Sequence, residues 1–126
     1  MKNRFNQKTD FLFHRVVNNP QWDDRSETML VVLGMIYYGY SLGINKNGEL
    51  SAYDMNQATK HKLRTLNIQA NYIDTMVDYA HKISQAPQDN IYCRLIALGK
   101  NYANHYDIDP LVYSVFEYTE EIKLNR

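Results

Sequence analysis

The chain is poor in the residues that staple, divide or electrically mark a protein. Cys93 is its one cysteine, which excludes an intramolecular disulfide and makes a reducing cytoplasm the expected setting. Three prolines and five glycines leave no linker or low-complexity tract that would divide the chain into domains. Net charge is absent: 14 basic side chains balance 14 acidic ones, which argues against a nucleic-acid coat or a DNA mimic, since both need a one-signed field. The opening MKNRFNQKTD has no apolar core behind its basic residues, so no signal peptide is expected. The most hydrophobic run, Met29 to Ile44, is short for a membrane span and is interrupted by Gly34, Tyr37, Tyr38, Gly39, Tyr40 and Ser41; a buried helix is expected there rather than a membrane segment.

Catalytic signatures are missing too. There is no Gly-x-Ser-x-Gly, and no histidine stands at a telling distance from Cys93. Gly34, Gly39, Gly43 and Gly48 are followed by no Gly-Lys-Ser/Thr, so they form no phosphate cradle. The histidines make no ligand pair at helical spacing. His105 stands near Asp107 and Asp109 in HYDIDP, but Asp109 is better placed to cap a helix. The expectation is a protein that is not an enzyme and needs no cofactor.

What is present is helical periodicity over nearly the whole length. A polar, flexible N-terminus is expected over residues 1–8, and a single helical domain over 9–126. Thr9 caps a first helix with Phe11, Leu12 and Val16 on its surface. Asp24 and Glu27 stand in a capping relation at the start of a second helix, about residues 25–42, which is apolar on nearly every side and so belongs at the centre of a bundle. Its Val-Val and Tyr-Tyr pairs also suit a strand. Ser51 opens a third helix and Asn67 caps a fourth. Pro87 fits the first turn of a fifth, and Asp109-Pro110 opens a last. The sum is an all-α, compact single-domain bundle of five or six helices around one hydrophobic helix.

The loop GINKNGELSAYD, residues 43–54, resembles a calcium loop in part. With Gly48 as its turn glycine, Asn45, Asn47, Glu49 and Asp54 become the metal candidates. Gly43, however, offers no side chain at the first ligand position, and Asp54 is one methylene short at the twelfth. The stretch 29–70 also resembles the loop–helix unit of TerB-like tellurite-resistance domains, a family in which acidic residues around an Asp-Gly loop are associated with metal binding. In this chain Asn47 stands where that aspartate would be. The plainer expectation is a structural turn, with Gly48 at positive φ and Ser51 as a cap.

Two surfaces remain. KHKLRTLNIQANYIDTMV, residues 60–77, has the spacing of a helix-turn-helix, with Lys60, Lys62 and Arg64 for phosphate and Gln69 and Asn71 for bases. Against it, Leu63 is large for a close crossing, and Asp74 and Asp78 would repel the backbone. Eleven tyrosines exceed what one small core needs, and Tyr113 and Tyr118 flank Glu117 and Glu121 on the final helix. The leading expectation is therefore binding to another protein, or to a second copy of the chain, through Tyr113, Glu117, Tyr118 and Glu121, as a regulator, inhibitor or immunity-type factor.

Overall fold

The structure is a computed structural model that describes residues 2–66 and 68–125. Six helices, and among the described residues no strand, make up the fold: α1 (Lys2–Val17), α2 (Glu27–Ile44), α3 (Ala52–Arg64), α4 (Ala70–Gln85), α5 (Ile91–Tyr102) and α6 (Asp109–Leu124). The all-α bundle with a central helix is as its periodicity predicts. Every residue of α2 except Glu27, Val31 and Leu42 is buried. The Val-Val and Tyr-Tyr pairs lie in continuous helix, because a helix wrapped by others on all sides gains more from burial than β-branching costs it. By length and composition α2 could cross a membrane, but in this fold it is the core.

The five other helices cover α2, and α5 approaches it most closely. A Cβ placed on Gly39 would overlap the Ile96 carbonyl oxygen, and one on Gly99 would overlap that of Ile36. Gly43 in turn abuts Ala103 and Lys100. Small residues on both helices thus let two backbones touch. Residue numbers rise together along the contact, so α2 and α5 run in the same sense, with α3 and α4 between them in sequence.

Several helix starts differ from expectation. Within the polar stretch 1–8, α1 begins at Lys2 and Phe5 is buried in the core. Thr9 lies inside α1 rather than capping it, and its hydroxyl donates to the Phe5 carbonyl at 2.9 Å. The second helix spans 27–44 rather than 25–42, because Ser26, not Asp24, accepts the Met29 amide (3.1 Å). Asn90 displaces Pro87 as the start of α5 by accepting the Cys93 amide at 2.9 Å. Asp109 is the first residue of α6, not its cap, and its amide is taken by Asp107 (2.9 Å). The cap expected at Asn67 lies outside the described residues.

Candidate binding surfaces

The 43–54 loop is a joint built around Asn45. Its amide donates to the Leu50 carbonyl (2.9 Å) and its carbonyl oxygen accepts the Leu50 amide (3.0 Å), pinning both ends of the turn with one side chain. Gly48, at φ 71°, closes the bend, with its amide 2.9 Å from the Asn45 carbonyl. Ser51 then accepts the Asp54 amide at 3.0 Å and starts α3. The Asn45 oxygen that would face an ion is therefore committed to backbone. Asn47 and Glu49 are exposed, and Asp54 stands in the first turn of α3. Among the described residues no group of three His, Cys, Asp or Glu is placed to hold a metal.

The basic stretch is neutralised from within the fold. Lys60 pairs with Asp78 at 2.9 Å, Lys62 with Asp10 at 2.7 Å and Arg64 with Asp74 at 2.5 Å. The side chain of Lys60 is only 12% exposed. Asp74 and Asp78, which would have repelled phosphate, are the partners that hold α3 against α4. Gln69 and Asn71 are exposed at the start of α4, apart from any free cation of this stretch. Lys62 also stands over the Phe13 ring, a second reason for it to face inward.

On α6, Tyr113, Glu117 and Glu121 are exposed, whereas Tyr118 is half-buried and packs against the core. The four expected partner residues thus divide between a solvent face and an inward one. A more continuous aromatic surface lies elsewhere, between α2, α4 and α5. There Val31, Met35 and Met76 floor a hollow of about 350 Å³ walled by Tyr72, Tyr79 and Tyr92. The three rings are 38%, 41% and 37% exposed, so they form a rim rather than a core. Tyr79 and Tyr92 meet edge to face at 5.9 Å. Past Tyr72 the groove runs on toward Ser26 and Glu27, and Ile122 of α6 closes one side. Burial raises the Tyr72 phenol above its ordinary range, and the charge of Glu27 adds to that. Tyr72 and Tyr79 stand seven residues apart on α4, a spacing that puts them on one face, but Tyr92 joins them only through the tertiary fold.

Two buried tyrosines complete the polar interior. The Tyr38 hydroxyl lies 2.9 Å from the Asn56 oxygen, to which it donates, and 3.1 Å from His81 Nδ1. Tyr37 floors a polar cleft of about 530 Å³ between α1 and α3. Burial pushes both phenols up to about 12. Ser41 Oγ is buried with no hydrogen-bond partner among the described residues. No known protein family, curated protein or solved structure matches this chain.

Proposed function

We propose that this chain is a non-enzymatic helical module that acts in the cytoplasm by binding another protein, as a regulator, inhibitor or immunity-type factor. The observation that carries the reading is the groove between α2, α4 and α5. Three half-exposed tyrosines surround an apolar floor that includes two methionines. Tyrosine offers large contact area at small entropic cost, and methionine adapts to a partner's shape. A fold seeking only stability would turn these rings inward, as it does Tyr37, Tyr38 and Tyr40. The exposed α6 residues Tyr113, Glu117 and Glu121 are a second, more polar face, with the half-buried Tyr118 at its edge against the core.

The nucleic-acid alternative through Lys60, Lys62, Arg64, Gln69 and Asn71 is less favoured because its three cations already have carboxylate partners. Counterion release from DNA would have to be won against those pairs. The test is capture of partners from native lysate by the wild-type chain and by a Tyr79→Ala, Tyr92→Ala variant. A protein held by the wild type should be lost by the variant, whose helical circular-dichroism spectrum should be retained even though the lost edge-to-face contact lowers its thermal midpoint. Equal capture by both would refute the groove, and tight binding of the wild type to duplex DNA at low salt would favour the alternative. Light scattering across concentrations identifies the case in which the partner is a second copy.

A further inference from the structure

Larger than the aromatic groove is the polar cleft of about 530 Å³ between α1 and α3, of a size suited to a small molecule. Its floor holds two polar side chains that are almost wholly buried, Thr9 at 1% and Tyr37 at 2% exposure. Thr9 satisfies its hydroxyl locally, by donating to Phe5. The Tyr37 phenol lies beside Thr9 and Asp10, and burial, by disfavouring the phenolate, pushes it up to about 12; like any phenol it is a neutral hydrogen-bonding group at physiological pH.

The charges of the walls cancel. Asp10 and Asp54 oppose Lys62 and Arg64. Both cations are already paired, Lys62 with Asp10 inside the cleft and Arg64 with Asp74 outside it. An anionic ligand would therefore find no free cation except at the expense of an ion pair, and a cationic one would meet Lys62 and Arg64. What remains unspent is capacity for ligand hydroxyls: the Asp54 carboxylate, which has no cation partner among the described residues, and two side-chain amides. The side-chain amides of Asn6, exposed on the rim, and Gln57, half-buried, can each donate and accept and have no protein partner among the described residues. They stand on opposite walls, one on α1 and one on α3.

From these groups we infer that the α1/α3 cleft is a binding site for a neutral, hydroxyl-rich small molecule of monosaccharide size, read by the amides of Asn6 and Gln57 above the Tyr37 hydroxyl. The site is separate from the aromatic groove and stands or falls independently of it. Isothermal titration of the full chain with D-glucose and D-ribose, alongside inorganic phosphate and putrescine as charged comparators, provides the test. At least one sugar should bind saturably, while phosphate and putrescine do not. Gln57→Leu should weaken that binding about tenfold, in line with one lost hydrogen bond and a stranded ligand hydroxyl. Tyr37→Phe should weaken it several-fold, and Tyr92→Ala should leave it unchanged. The inference is overturned if neither sugar binds up to tens of millimolar, if a charged comparator binds in preference, or if sugar binding survives both cleft variants.

Discussion

Tyr37 and Tyr38 are neighbours in sequence, yet helical geometry sends their hydroxyls into different surroundings, one beside Thr9 and Asp10, the other to Asn56 and His81. Both phenols stay protonated up to about pH 12 in the folded chain, against 10.0 for an ordinary tyrosine. The unfolded chain therefore releases these protons first as pH rises. Their contribution to stability is whole below pH 10 and is lost between pH 10 and 12, at about 1.4 kcal/mol per pH unit for each ring. Urea midpoints measured upward from neutrality should hold until about pH 10 and then fall. Replacing both rings by phenylalanine should flatten that fall, and an unchanged slope would rule out these two phenols as its cause. The Tyr-Tyr pair was legible in the sequence as part of a buried helix, but the hydroxyl partners were not. Asn56 and His81 come from α3 and α4, and only the packed fold places them beside Tyr38.

At the scale of elements, glycines serve two different ends. Gly48 needs its positive φ and has nothing within 4 Å of an added Cβ, so Gly48→Ala should cost about 1 kcal/mol of backbone strain. Gly39 has ordinary helical geometry but faces the Ile96 carbonyl across the α2–α5 crossing. Gly39→Ala must push two backbones apart and should cost about 3 kcal/mol or more. Urea denaturation of the two variants checks the ranking, and equal losses would contradict it. The turn role of Gly48 and the cap at Ser51 are readable locally, because each depends on residues two or three positions away. Helix starts are less legible where two capping residues compete, as at Asp24 and Ser26, since the choice between them rests on how α2 seats in the core. The ion pairs of Lys60, Lys62 and Arg64 show the same limit. A run of cations reads as a phosphate-binding face until the acids of α1 and α4 are brought against it.

For the molecule as a whole, the architecture was written in the periodicity, whereas its candidate sites were not. Each helix announces its own apolar face. A groove assembled from Val31, Tyr79 and Tyr92, or a cleft from Asn6, Tyr37 and Gln57, belongs to no single segment.

The parallel crossing of α2 and α5 also bears on the order of assembly. The α3–α4 pair joins neighbours in sequence and is tied by Lys60–Asp78 and Arg64–Asp74, so it can form early at little entropic cost. The glycine-lined contact can close only when both of those helices are looped out between its two halves. Conservative truncations should separate the two events in rapid-mixing experiments. Ile73→Val, deep in α4, should mainly slow folding, whereas Ile96→Val, at the crossing, should mainly hasten unfolding, each with a stability loss of about 1 kcal/mol. If Ile96→Val instead lowers the folding rate in full proportion to its stability loss, the crossing is part of the nucleus.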